Sequence, residues 1–323
     1  GASGRRRRAG GRMSVLVAAF YRFAALEGLP ELQRELSDLA AAEGVSGTIL
    51  LAAEGVNGTI AGADAGVQAL LARLRQVAGL ERLEAKFSRS EVQAFHRLKV
   101  RLKREIVTMG EPQVSPYLAS EVGTHVPPGQ WDALIADPDT LVIDTRNAYE
   151  VAIGSFEGAI DPGTATFREF PQWVERELRP LVEQRQPKAI AMFCTGGIRC
   201  EKATAYLQQQ GFAGVHHLEG GILRYLEEIP EPLSSWRGEC FVFDKRVAVN
   251  HQLEPGEHSV CHACGLPLSP ADRRLSSYVA GVSCRHCLER FSDADRQRFT
   301  ERQRQMERAR QRGECHLGGR PVG

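Results

Sequence analysis

The chain has 323 residues, 42% of them hydrophobic and 25% charged; at roughly 150 residues per domain this is material for about two globular domains. Global disorder and a single small module are excluded, and no apolar run approaches the ~18–20 residues that a membrane-crossing helix needs. The formal charge of +1 conceals basic ends, with arginines at Arg5–Arg8 and Arg12 and again from Arg290 to Arg312, around an acidic body.

Residues 1–14 are expected to form a basic, disordered extension. No apolar segment with a cleavage site follows its arginines, so the chain is expected to be soluble, unsecreted and cytoplasmic, with no membrane association. Eight cysteines, four of them in two Cys-x-x-Cys pairs, fit thiol and metal chemistry in a reducing compartment better than a secreted disulfide framework.

An α+β domain is expected over residues 15–110. Val15–Phe23 reads as a strand. Leu29, Leu32, Leu36, Leu39 and Ala40 recur at helical spacing, with Pro30 suited to a first turn, so a helix should run to about Glu43. Strands at Gly47–Glu54 and Gly58–Gly62 should flank a tight turn at Asn57-Gly58, where positive φ angles are cheap. A helix over Ala63–Val77 and strands at Glu84–Phe87 and Leu98–Thr108 follow, giving a β-α-β-β-α-β, ferredoxin-like order with one strand beyond it. In the last strand Arg97, Lys99, Arg101 and Lys103 alternate with Leu98, Val100 and Leu102. Alternation sets the four cations on one face about 6–7 Å apart, near the phosphate spacing of a nucleic-acid strand. A solvated face paired with acidic neighbours is the competing reading. Residues 111–127, rich in proline and glycine, read as a linker.

Residues 128–230 read as an α/β domain with a parallel sheet, its buried strands at Leu141–Asp144 and Ala189–Phe193. The second strand leads into Cys194, Thr195, Gly196, Gly197, Ile198, Arg199 and Cys200, then a helix from Glu201 to Gln210 stopped by Gly211. A thiol between a strand and a helix N-terminus, beside a guanidinium, is stabilised as the thiolate. Two glycines let the loop curl so that its amides converge on an anion held at the sulfur. Cys194 is therefore the candidate nucleophile, and Thr195 to Arg199 form the anion-binding loop. The Cys-x4-Arg spacing is tighter than the Cys-x5-Arg ring of phosphatases and suits a persulfide or other small sulfur-borne group. It is the spacing of the rhodanese loop, and Val142–Glu150 resembles the first rhodanese signature. Asp144, also beyond a strand's carboxyl end, is read as a supporting acid that organises backbone. Cys200 is a candidate resolving thiol, with plain helix packing as the alternative.

Downstream, Cys261-x-x-Cys264 and Cys284-x-x-Cys287 stand nineteen residues apart. This is zinc-ribbon spacing: two knuckles supply a tetrahedral S4 set, closed and therefore structural. Two disulfides are the alternative. Ser292–Arg312 should be a helix capped by Ser292, with Asp293 and Asp295 in its first turn and arginines after them. Arg302 and Arg308 are its candidate RNA contacts, against a merely solvated helix.

Ala53–Thr59, Leu98–Val107, Ile143–Asn147, Phe193–Lys202, His217–Ile222 and the cysteine knuckles together resemble the rhodanese-related tRNA uridine(34) hydroxylases. The resemblance spans about Val15 to Gly319. It implies a ferredoxin-like domain, a rhodanese domain, and a cysteine module with a basic helix over 231–323. It also implies oxygen-dependent 5-hydroxylation of the wobble uridine of tRNA, a persulfide-bearing cysteine that maps to Cys194, O₂ as co-substrate, and the anticodon arm as partner. An anticodon-loop base costs less to unstack than a paired one. The sequence displays no flavin or haem motif and no evident two-histidine, one-carboxylate arrangement for O₂ chemistry. The alternatives are a persulfide sulfurtransferase and a non-catalytic RNA-binding adaptor.

Overall fold

The computed structural model describes residues 14–90, 95, 97–114, 116–117 and 121–312. The expected extension, apart from Ser14, and residues 313–323 of the expected C-terminal module lie outside the described residues. The chain divides into two compact units, residues 1–106 and 107–323.

The first unit comprises β1 (Val15–Phe23), α1 (Leu29–Ala42), β2 (Ser46–Ala52), β3 (Gly55–Gly62), α2 (Asp64–Arg75), β4 (Ala85–Ser90) and β5 (Leu98–Leu102). The sheet order is β4-β1-β3-β2-β5. The first four strands pair antiparallel in the ferredoxin-like manner. Alternate strand residues such as Leu16, Ala18, Phe20, Ile49, Leu51 and Ile60 meet the apolar stripes of both helices, Leu32 and Leu36 from α1, Leu70 and Leu74 from α2.

Two expectations in this unit are corrected. The hairpin turn is Ala53-Glu54, since Ala52 pairs with Gly55, and Asn57-Gly58 lies inside β3. Asn57 Nδ2 instead donates to the Ile106 carbonyl at 2.9 Å, and a Cβ on Gly58 would fall 2.7 Å from the Phe20 ring; tertiary contacts use both residues. The last strand ends at Leu102 and adds a fifth, parallel strand on the β2 edge. Its ladder runs one residue further at each end, through the Arg97 carbonyl and the Lys103 amide. Beyond that, the Ile106 amide donates to the Glu54 carboxylate at 2.6 Å, so the chain leaves the β2 backbone.

The second unit begins with β6 (Thr124–Val126), α3 (Pro128–Ala136), β7 (Thr140–Asp144), α4 (Ala148–Val151) and β8 (Gly154–Phe156). Next, α5 (Phe170–Trp173) passes through a π-helical turn into α6 (Arg179–Arg185), followed by β9 (Ala189–Phe193), α7 (Ile198–Gln209), β10 (Val215–Leu218) and α8 (Gly221–Glu228). The parallel sheet runs β6-β10-β9-β7. One face packs Ile143, Ile190 and Met192 against Cys200, Ala203 and Leu207 of α7. The other packs Val142, Ala191 and Phe193 against Trp131 of α3 and Ile222 and Tyr225 of α8. Strands buried on both faces read as unbroken apolar runs, which is why β7 and β9 are legible in the sequence.

Here β6 falls within the segment expected to be a linker, and Val107, Met109, Val114 and Val122 pack on the α7 side of the same core. The units therefore divide at 106/107 instead of after residue 110. A three-residue Thr-His-Val strand among prolines carries no periodicity for a sequence reading to find. Helix α7 starts at Ile198, three residues before the expected Glu201, because Gly197 at φ 99° serves as its N-cap.

The remainder holds β11 (Trp236–Gly238), which pairs with β8, the ribbon β12 (Cys240–Phe241) and β13 (Ala248–Val249), the ribbon β14 (Ser259–Val260) and β15 (Pro267–Leu268), and α9 (Asp293–Gln311). Ser292 caps α9 in a capping box with Asp295. Among the described residues no helix is long and apolar enough to cross a membrane.

Candidate active site

Phe193, the last residue of β9, pairs with Asp144, the last residue of β7. The loop that follows therefore opens beyond the carboxyl ends of the parallel strands. Cys194 is fully buried there, and the Gly197 amide donates to its Sγ at 3.1 Å. Burial opposes the thiolate. The Cys200 thiol, the Arg199 charge and the amides of Cys200 and Gly197 outweigh it and hold the Cys194 thiol down at about 6. Cys200, equally buried, is pushed well up by burial and by Cys194, so it stays protonated and acts as the donor of the pair. Thr145 Oγ1 lies 3.5 Å from the Cys200 sulfur.

The start of α8 fixes the loop's curvature: the Ile222 and Leu223 amides donate to the carbonyls of Cys194 and Thr195 at 2.9 and 3.1 Å. These are free N–H groups of a helix N-terminus. A Cβ on Gly221, at φ 69°, would lie 2.5 Å from the Thr195 oxygen, so the approach requires glycine. Ile198 is half-buried at the first position of α7.

Arg199 is not free to swing. Its Nη1 and Nη2 donate to Glu150 at 2.7 and 2.9 Å, a buried bidentate pair. Glu150 is fully buried and is the N3 residue of a capping box whose N-cap is Asn147. Burial opposes its ionised form, but Arg199, Arg146 and the Asn147 amide hold the carboxyl below the usual range. Thr195 Oγ1 also reaches Glu150, at 3.4 Å. The sequence reading assigned Glu150 no role; the signal available was the Asn-x-x-Glu capping pattern ahead of a helix. A rim of Tyr149, Phe241 and Phe243 adjoins Arg199. The Arg199 guanidinium lies 5.9 Å from the Phe243 ring centre, and Phe243 is 64% exposed.

Asp144 binds two side chains and one backbone amide. It takes the Arg146 guanidinium at 2.7 Å, the Arg146 amide at 3.1 Å and the Ser155 hydroxyl at 2.8 Å. Arg146 then donates to the Gly154 carbonyl of β8 at 2.6 Å.

Two family descriptions match the chain: a UPF0176 acylphosphatase-like domain at residues 15–106 and a rhodanese-like domain at residues 128–228. A tRNA uridine(34) hydroxylase of Parasynechococcus marenigrum is 60% identical over 307 residues, 92% of this chain and 94% of that protein. One from Mesorhizobium japonicum is 52% identical over 94% of this chain and 97% of that protein. The chain belongs to the tRNA uridine(34) hydroxylase family. Among solved structures, a human single-domain sulfurtransferase is 20% identical with a TM-score of 0.28, covering 33% of this chain and 99% of that one. A rhodanese-related protein of Thermoplasma volcanium is 24% identical with a TM-score of 0.26, covering 32% of this chain and 92% of that one.

In this member of the hydroxylase family, Cys261, Cys264, Cys284 and Cys287 converge. Their sulfurs are unbonded and stand 3.6, 3.7 and 4.0 Å apart in three of the pairs. A tetrahedral site with metal–sulfur bonds of about 2.3 Å needs sulfurs about 3.8 Å apart, so the four thiols fit a divalent metal and not two disulfides. Helix α9 seats on this module: Arg302 donates to the His262 carbonyl at 2.8 Å and Arg296 to the Leu288 and Phe291 carbonyls at 2.7 and 2.6 Å. Arg302 thus ties the helix to a knuckle, and both Arg302 and Arg308 are exposed. In the first unit Leu98 and Val100 pack on the core. The alternation of the strand therefore turns Lys99 and Arg101 to its other face, with Arg97 and Lys103 flanking them.

Proposed function

We propose that this chain hydroxylates carbon 5 of uridine 34 in tRNA, with O₂ as co-substrate and Cys194 as the reacting group. The observation that carries this reading is the buried Cys194 sulfur, which accepts from the Gly197 amide at the head of α7, in a chain 60% identical to a tRNA uridine(34) hydroxylase. One oxygen atom enters the C5–H bond and the other leaves as water, so two electrons and two protons must come from a reductant. The cysteine loop contributes a fixed anionic sulfur, screened from water, with a neutral thiol beside it in Cys200 and a cation locked in place by Glu150. Thr195, Gly196, Gly197 and Ile198 shape the cradle, and Asp144 holds the neighbouring turn.

Arg97, Lys99, Arg101, Lys103, Arg302 and Arg308 are assigned to the phosphates of the anticodon arm. The cysteine cluster is assigned a structural zinc ion, since four thiolates leave no open coordination position. A tRNA substrate and cysteines suited to a reducing compartment favour a cytoplasmic location. The test is incubation in air with tRNA lacking wobble modification, followed by nucleoside mass spectrometry. Uridine 34 should gain one oxygen with the wild type and none with Cys194→Ala; unchanged hydroxylation by the variant overturns the role of Cys194.

The Cys-x4-Arg loop with its activated thiolate also favours a second reading, persulfide transfer. Thiocyanate production from thiosulfate and cyanide, with tRNA nucleosides unchanged, would replace the first reading by this one.

A further inference from the structure

The sequence offered no evident two-histidine, one-carboxylate arrangement, yet the fold assembles one. His125 on β6 and His217 on β10 are registered neighbours, and His217 is also registered with Met192 of β9. Met192 packs against the α7 side of the sheet. Residues in register leave a sheet on the same face, so both imidazoles project toward α7. Its first turn, which carries Arg199 and Cys200, also carries Glu201.

One ring nitrogen from each histidine and one Glu201 oxygen lie within 4.8 Å of one another. His125 Nε2 is 2.9 Å from Glu201 Oε1, and His217 Nε2 is 4.0 Å from Glu201 Oε2. The ring centroids of the histidines are 4.2 Å apart.

An ion pair between His125 and Glu201 accounts for two of these residues and leaves the third unexplained. His217 is 1% exposed, and neither ring nitrogen has a hydrogen-bond partner among the described residues. Buried polar groups are ordinarily satisfied, and one that is not calls for a water or an ion. His125 is 38% exposed and gives the cluster a route to solvent.

We propose that His125, Glu201 and His217 form a binding site for one divalent first-row transition metal, with Fe(II) the ion best suited to the donor set. Metal–nitrogen bonds of about 2.0–2.1 Å place adjacent ligands about 3 Å apart. The His125–Glu201 pair already meets that spacing, and His217 closes by about 1 Å. Two imidazoles and one carboxylate leave positions open, unlike the closed four-cysteine cluster. Metal occupancy stands on these donors alone, independently of the hydroxylase reading.

The test uses the full chain with zinc in its cysteine cluster, titrated anaerobically with Fe(II) and separately with Co(II), then desalted and analysed for metals. The wild type should retain one iron or cobalt per chain beyond its zinc. His125→Ala and Glu201→Gln, at two partly exposed positions, should each weaken that equivalent at least tenfold without losing zinc or the circular-dichroism melt of the wild type. Absence of the extra equivalent in the wild type, or its persistence in both variants, overturns the proposal. If the equivalent is bound and lost as expected while wild-type tRNA stays unmodified, the site stands and the hydroxylase reading falls.

Discussion

Two cysteines six positions apart do different work because Cys194 accepts hydrogen bonds from backbone amides and from Cys200, whereas Cys200 donates to Cys194. Cys194 receives protons' partial charge from an amide and from Cys200; Cys200 gives and is left neutral. Since the Cys194 thiol is lowered, its thiolate persists down to about pH 6 and is lost below it. Alkylation of Cys194, followed by peptide mass spectrometry, should therefore fall as pH drops through about 6, with Cys200 unlabelled throughout. Cys200→Ala, which removes the thiol donor, should move that midpoint upward. At Glu150 the expectation concerns stability. Deleting one partner of a buried ion pair strands the other, and Glu150→Ala should cost about 3–5 kcal/mol in urea denaturation by leaving Arg199 uncompensated.

At the level of elements, the active loop is made by two helix N-termini. Helix α7 supplies the Gly197 amide to the sulfur, while α8 takes up the loop's carbonyls. Gly197 sits at φ 99°, whereas a Cβ on Gly196 would meet nothing within 4 Å. Gly196→Ala should thus fold with little change. Gly221→Ala faces both a positive φ and the Thr195 carbonyl, so it should lose about 2 kcal/mol or more and most hydroxylation. Comparing thermal melts and uridine oxidation for the two variants checks this. The glycines of the cysteine loop were plain in the sequence; that Gly221 lets α8 reach the carbonyls of Cys194 and Thr195 was not, because residues 195 and 221 are distant in the chain.

For the molecule as a whole, the cysteine module should depend on its metal. Its small buried cluster consists mainly of Cys261, Cys284 and Cys287 with Leu268, too little apolar surface to hold a fold unaided. Strong chelation should release one zinc per chain and open residues near β14, β15 and α9 to proteolysis, while β7 and β9 stay protected in hydrogen exchange. Binding of tRNA should be salt-sensitive. Replacing Lys99 and Arg101 together by glutamine should reduce the slope of log affinity against log salt by about 1.4–1.8, at roughly 0.7–0.9 for each phosphate no longer neutralised.

What the sequence determined by itself was whatever local pattern encodes. The apolar runs of β7 and β9, the amphipathic stripes of α1 and α2, the capped α9, the Cys194–Arg199 loop and the two knuckles all carry their own periodicity or spacing. What only the tertiary structure decided was set by long-range partners. The turn at Ala53-Glu54 follows from Gly58 packing on Phe20 and Asn57 reaching Ile106. Strand β6 exists only because β10 offers it an edge. Glu150 meets Arg199, and His125 meets His217 and Glu201, across separations that no motif spans. Spacing along the chain fixes which side chains share an element, whereas sheet order and helix packing fix which elements share a site.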